Sequence, residues 1–173
     1  RLQPLSVNEL KMQAVETVEL QNCQYAIYKL PHNASGFVRF RIECKEKLTL
    51  YVAFDELLCQ GKVDFLRMKC ANVARYDLCK GVHELQFFEV YTMQFLQFIA
   101  IGGGCTLQDV RMIEYKHPPV QRILYKDDAL QKISDAAIET FKQNAVDIFM
   151  DCPSRERAGW LCDSFFLGRT EKC

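Results

Sequence analysis

The sequence is short of several things at once. It has one tryptophan, three histidines and five prolines, and its charges cancel, 22 Lys and Arg against 22 Asp and Glu. A balanced chain sets up no field that would draw it to nucleic acid or to an anionic membrane surface. No apolar run reaches the ~20 residues that a membrane-spanning helix needs. His32, His83 and His117 stand far apart and no C-x-x-C pair occurs, so zinc-ligand spacing is missing. Gly102-Gly103-Gly104 is followed by neither G-K-[ST] nor a helix start, which makes it a hairpin turn rather than a phosphate loop. No Ser/His/Asp arrangement stands out. The chain is therefore expected to use no cofactor and no metal, and to partner neither nucleic acid nor a membrane. Arg1 to Leu10 carries no apolar segment of the signal-peptide kind.

Cysteine, by contrast, is plentiful. Nine are scattered through the chain, at 23, 44, 59, 70, 79, 105, 152, 162 and 173. An odd, irregularly spaced set reads as free thiols in a reducing compartment. That favours the cytoplasm, with a periplasmic or secreted setting left open because the chain does not begin with Met. Asn33-Ala34-Ser35 fits the glycosylation sequon, which a reducing compartment would leave unused.

A length of 173 residues suits one domain or two small ones. Most of the chain reads as strands. Val15 to Leu20 and Tyr25 to Leu30 are short candidates, and Pro31 to Gly36 is a turn cluster. From Phe37 to Cys44 the alternation is strict. Val38, Phe40, Ile42 and Cys44 point one way, and Arg39, Arg41 and Glu43 the other. Leu48, Leu50, Val52 and Phe54 repeat the pattern. Asp55 to Lys69 reads as a long connection between sheets. Strand signals return at Val73 to Leu78, Val82 to Phe88, Phe95 to Ile101 and Leu107 to Tyr115. Seven or eight short strands of this kind predict an antiparallel β-sandwich, jelly-roll-like, with Val38, Phe40, Ile42, Leu50, Val52 and Phe54 inside.

Lys116-His117-Pro118-Pro119 marks a boundary, since two prolines cannot continue a sheet. Beyond Tyr125 the hydrophobic period changes from two to about 3.6. Asp128 is a candidate cap with Gln131 as its box partner. Leu130, Ile133, Ala137, Phe141, Ala145 and Ile148 fall on one apolar helix face. Pro153 opposes continuation past Asp151. The expected division is a sandwich over 1–117 and a helical segment over 118–173.

The chemistry concentrates in Asp151-Cys152-Pro153-Ser154-Arg155-Glu156-Arg157-Ala158-Gly159-Trp160-Leu161-Cys162-Asp163. Pro153 suits the first position of a new turn. If helix follows, Glu156, Trp160 and Asp163 share a face at i, i+4 and i+7. If the early part is a loop, Gly159 supplies the freedom to bend. A carboxyl beside an indole in a partly desolvated pocket is held protonated more readily, and such a group can protonate a leaving glycosidic oxygen. An adjacent arginine pulls the other way. The bland reading is an ion-paired surface turn with a tryptophan in the core.

As a whole string, Asp151-Cys152-Pro153-x-Arg155-Glu156-Arg157-x-Gly159-Trp160-x-x-Asp163 resembles the signature of bacterial α-L-rhamnosidases of glycoside hydrolase family 78. Phe141 to Asp147 resembles that family's approach to the motif. More weakly, Asp55-Glu56, Gly61, Leu66-Arg67, Tyr76, Gly81 and Phe88 to Phe95 look like the β-sandwich that precedes the family's six-hairpin helical barrel. The resemblance implies a hydrolase acting with inversion on terminal α-L-rhamnosides. It makes Glu156 the general acid, Asp151 and Asp163 binders of rhamnose hydroxyls, and Arg155 and Trp160 lining residues of the same pocket. The general base would come from a later helix outside this chain. The family usually has Gly where Cys162 stands.

On this reading the fold is a β-sandwich followed by the start of an (α/α)6 barrel. The chain is a piece of a longer enzyme, and its 173 residues are expected to lack turnover by themselves. Its partner would be a rhamnose-containing glycoside or polysaccharide, with self-association open to it through the helical edge. Two alternatives compete. One is a non-catalytic carbohydrate-binding sandwich, against which the strands show no aromatic platform. The other is a six-hairpin glycosidase with a different sugar specificity.

Overall fold

The structure, a computed structural model, describes residues 7–11, 17–115 and 122–171. The Lys116–Pro119 boundary and the first residues of the Val15–Leu20 strand lie outside these. The chain divides into two compact units, Val7–Tyr115 and one that contains both helices.

The first unit has eight strands: β1 (Val7–Lys11), β2 (Thr17–Leu20), β3 (Tyr25–Cys44), β4 (Leu48–Asp55), β5 (Val73–Leu78), β6 (Gly81–Gln86), β7 (Tyr91–Ile101) and β8 (Cys105–Tyr115). All pairings are antiparallel, and they build a β-sandwich whose two layers share β3. The first half of β3 pairs with β7, which continues through β4 to β5. Its second half lies between β6 and β8, and β1 and β2 follow one another along the far edge of β8.

The sequence places a turn at Pro31–Gly36, where the strand in fact runs on. The reason is a register shift between Lys29 and Ala34, which leaves Pro31 where the β7 ladder asks nothing of it. Such an irregularity lets one strand leave one layer and join the other. Gly36 is the hinge of that passage, pairing with Tyr91 on one side and Glu114 on the other. A Cβ there would collide with the Ile113 carbonyl and lie 2.8 Å from the Met112 side chain, so only glycine allows the approach.

The alternating patterns point as the sequence predicts. Val38, Phe40, Ile42, Leu50, Val52 and Phe54 are all buried. Phe40 meets Phe98 across the layers at 5.0 Å, nearly edge-on, and Tyr28 meets the same ring at 5.3 Å. Edge-to-face pairs of this kind add to the burial of their apolar area.

The connection after β4 is long, as predicted, but it is tied down. Asp55 is almost fully buried and accepts two bonds from Arg67, at 2.6 and 2.7 Å. The bond to Asp55 raises the guanidinium's pKa further above its ordinary value. Asn33 Nδ2 donates to Glu56 at 3.0 Å, and the Val63 amide donates to the buried Gln97 side chain at 3.1 Å.

The second unit holds α1 (Asp128–Asn144) and α2 (Leu161–Glu171). The cap of α1 is one residue earlier than Asp128. Asp127 is extended, and its Oδ1 accepts from the Ala129 and Leu130 amides. Gln131 turns outward from the capping box, accepting from the Tyr125 amide and donating to Asp135. The apolar face of α1 is buried only toward its end, at Phe141 and Ala145, while Leu130 and Ile133 are more than half exposed. No helix of the described residues is long and apolar enough to cross a membrane.

Candidate active site

Between the helices the chain forms a closed loop. The Asp151 amide donates to the Ala158 carbonyl, and the Ala158 amide donates back to Asp151 Oδ1, both at 2.9 Å. These reciprocal bonds span Cys152 to Arg157, with Ser154 buried inside. A helix over this span is excluded. Pro153 to Glu156 form turns, Arg157 takes a left-handed φ of 54°, and α2 starts only at Leu161. The expected i, i+4, i+7 face for Glu156, Trp160 and Asp163 is therefore not a helical face. The loop alternative holds, but its reversal sits at Arg157 rather than Gly159. A left-handed non-glycine residue is costly and persists only where its surroundings fix it. The string Pro-Ser-Arg-Glu-Arg-Ala carries no glycine to advertise it.

The loop nonetheless brings Glu156 and Trp160 together. The indole Nε1 donates to Glu156 Oε2 at 3.1 Å, and Arg155 Nη2 donates to Oε1 at 2.7 Å. Both carboxylate oxygens are thus held, one by a cation and one by a neutral donor. The Glu156 side chain retains 41% of its surface and Trp160 is 56% exposed. The tryptophan is not a core residue in this structure, which removes one half of the bland reading. The Arg155–Glu156 pair keeps the other half alive.

Asp151 is less free than the sequence suggests, because Oδ1 is engaged in closing the loop. Partial burial pushes its carboxyl up, but the bonds from Ala158 and from the Cys152 side chain and backbone outweigh this and hold it below the ordinary aspartate range. Asp163 stands exposed in the first turn of α2, where a negative charge complements the helix dipole. The Trp160 carbonyl accepts the Ser164 amide at 2.8 Å, so Trp160 is the residue from which α2 springs. Cys162 is exposed in the same turn. The structure thus gathers Arg155, Glu156 and Trp160 into one contact and sets Asp151 and Asp163 at the two ends of the segment that carries it.

Among the described residues no three His, Cys, Asp or Glu side chains converge as a metal site. On the sandwich, strand register brings out a feature hidden in the sequence. Tyr25, Ile99 and Tyr51 occupy one row across β3, β7 and β4 on the outer face. Two tyrosines far apart in the chain thus flank the same isoleucine.

Residues 122–173 fit the family model of the bacterial alpha-L-rhamnosidase 6 hairpin glycosidase domain. In fold the chain is GH78-like. It superposes on a GH78 family rhamnosidase of Bacillus sp. GL1 with a TM-score of 0.68 and 20% identity, over 83% of this chain and 15% of that one. A rhamnosidase from Klebsiella oxytoca with rhamnose bound gives 0.67 at 16% identity, over 91% and 39%. The alpha-L-rhamnosidase of Dictyoglumus thermophilum gives 0.64 at 18% identity, over 88% and 18%. The chain therefore spans well under half the length of each of these structures. Among curated proteins no relative matches.

Proposed function

We propose that this chain contributes the acid side of an inverting α-L-rhamnosidase site, with Glu156 as the general acid. The observation that carries this reading is the Arg155–Glu156–Trp160 contact, exposed and lying within the stretch that fits the six-hairpin glycosidase family. The protonated carboxyl of Glu156 gives its proton to the leaving glycosidic oxygen as the C–O bond breaks. The Trp160 N–H keeps the carboxyl in one rotamer. Arg155 stabilises the carboxylate left behind. The indole face and the exposed Asp163 carboxylate are suited to a deoxy sugar, with one apolar side and a set of hydroxyls. Asp151 closes the loop through Oδ1 and takes a sugar hydroxyl as its further partner. An inverting enzyme needs a second carboxylate about 6.5–9.5 Å from the acid, on the far side of a water. No residue of this chain is assigned to it. The substrate is then a terminal α-L-rhamnoside.

The test is Glu156→Gln in the full-length protein, with aryl α-L-rhamnosides of graded leaving-group pKa. General acid catalysis is worth about 10²–10⁴-fold. The loss should lie in that range for a poor leaving group and shrink for an activated one that needs no proton. An equal loss across the series would make Glu156 a binding residue instead. A second reading, a carbohydrate-binding sandwich, draws on the Tyr25–Ile99–Tyr51 row; under it Glu156→Gln leaves sugar binding untouched.

A further inference from the structure

Cys44 ends β3 and Cys105 begins β8, and the register sets them directly opposite one another. The next pair along, Lys45 and Gly104, is joined by a bond from the Lys45 amide to the Gly104 carbonyl at 3.1 Å. Hydrogen-bonded and non-hydrogen-bonded pairs alternate along an antiparallel ladder. Cys44 and Cys105 therefore form a non-hydrogen-bonded pair, the kind whose Cα atoms come within about 4.5 Å and whose side chains lie closest. A disulfide takes Cα separations of about 4.4–6.8 Å. Residues directly opposite project to the same side of the sheet, and both thiols point inward, Cys44 2% and Cys105 0% exposed. In the strand registers described, no other two cysteines face each other.

We infer that Cys44 and Cys105 are a redox pair, placed to close a disulfide between β3 and β8 when the protein meets a low-molecular-weight disulfide such as glutathione disulfide. One cysteine thiolate attacks a glutathione sulfur and expels glutathione thiolate, leaving a mixed disulfide. The second cysteine thiolate attacks the protein sulfur of that mixed disulfide, forms the Sγ–Sγ bond and expels the other glutathione. The two cysteine protons end on the two glutathione thiols. The pair loses two electrons and one glutathione disulfide gains them.

Burial governs when this happens. It pushes both thiols up, Cys105 to about 11 with the neighbouring Cys44 adding to the effect, so thiolate is scarce while the layers are closed. The pair sits beside the turn after β3 and the glycine turn before β8, at the end of both strands, where fraying begins. The bond accordingly forms as the chain folds, or on fraying of that end, and not by attack on the closed sandwich. Once formed, it staples the central strand β3 to the layer edge carried by β8.

The test is refolding of the full chain from denaturant in a buffer of reduced and oxidised glutathione, with exposed Cys23, Cys59, Cys79 and Cys162 changed to Ser. Alkylation and a non-reducing digest then report the partners. The expected result is a major linked product that joins the Cys44 and Cys105 peptides, two hydrogens lighter than the reduced pair. Recovery of the two cysteines as free thiols, as separate glutathione adducts, or linked mainly to other cysteines would overturn the inference. The readout uses the unaltered pair, so it does not depend on a core variant folding.

Discussion

The two units treat their apolar residues in opposite ways. In the sandwich the inward positions of β3, β4, β7 and β8 are nearly all inaccessible, and Phe40 and Phe98 lock the layers together. In the helical unit Leu130, Ile133, Trp160, Leu161, Phe165 and Phe166 all keep more than half their surface. The difference is one of geometry. A pair of sheets can close over its own alternating faces. Two helices and a loop have fewer directions from which to cover an apolar stripe. What holds the helical unit is local by comparison: the Asp127 cap, the Asp151–Ala158 clamp, the Phe141–Phe149 contact and the bond from Ser164 to the Phe149 carbonyl.

Substitutions can break this contrast or sharpen it. The largest effect is expected from Phe40→Ala, which removes the ring that bridges the layers. Loss of a buried aromatic costs about 3–5 kcal/mol, readable as a shift of the urea midpoint followed by circular dichroism. Next comes Arg67→Ala, which strands the buried Asp55 carboxylate. Breaking a buried pair costs about 3–5 kcal/mol, and because Arg67 itself is partly exposed the loss should be nearer the lower figure; Asp55→Asn in the same background should recover part of it. The smallest is Ile133→Ala in α1, expected within about 0.5 kcal/mol because this side chain is mostly exposed already. Trp160 is the sole tryptophan, so its fluorescence reports the helical unit by itself. A cost for Ile133→Ala as large as that for Phe40→Ala would erase the contrast.

Much of the sandwich was legible in the chain. Strict alternation at Phe37–Cys44 and Leu48–Phe54 specifies which side chains go inward, because a strand's period of two leaves no other choice. The change of period after Tyr125 marks α1 for the same reason. The Pro31–Gly36 segment was misleading. Its residues are turn formers by local preference, yet β7 and β8 hold Ala34, Ser35 and Gly36 extended, and a register shift absorbs the proline. The cap moved from Asp128 to Asp127 because two adjacent aspartates are equivalent in sequence and only backbone angles separate them.

At the candidate site the residue types were legible and their arrangement was not. The string Asp151 to Asp163 announces an acid, an arginine and an indole close together. It also suggested a helix that would align Glu156 with Trp160. They do meet, but across a loop reversed at Arg157, a position where no glycine gives warning. The Asp151 carboxylate bonds seven residues ahead to close that loop, a contact no periodicity encodes. The row of Tyr25, Ile99 and Tyr51 was hidden in the same way, since it exists only once β3, β7 and β4 lie side by side.

The sequence by itself determined the kinds of element, the inward and outward faces of the strands and the segment where chemistry gathers. These depend on the order of apolar, charged and turn-forming residues within a few positions of each other. Tertiary structure alone decided the passage of β3 between layers, the left-handed turn that carries Glu156 to Trp160 and the placing of Cys44 opposite Cys105. The passage and the cysteine pairing depend on register between strands distant in the chain, and the turn depends on a clamp from Asp151 to Ala158 that no residue preference announces.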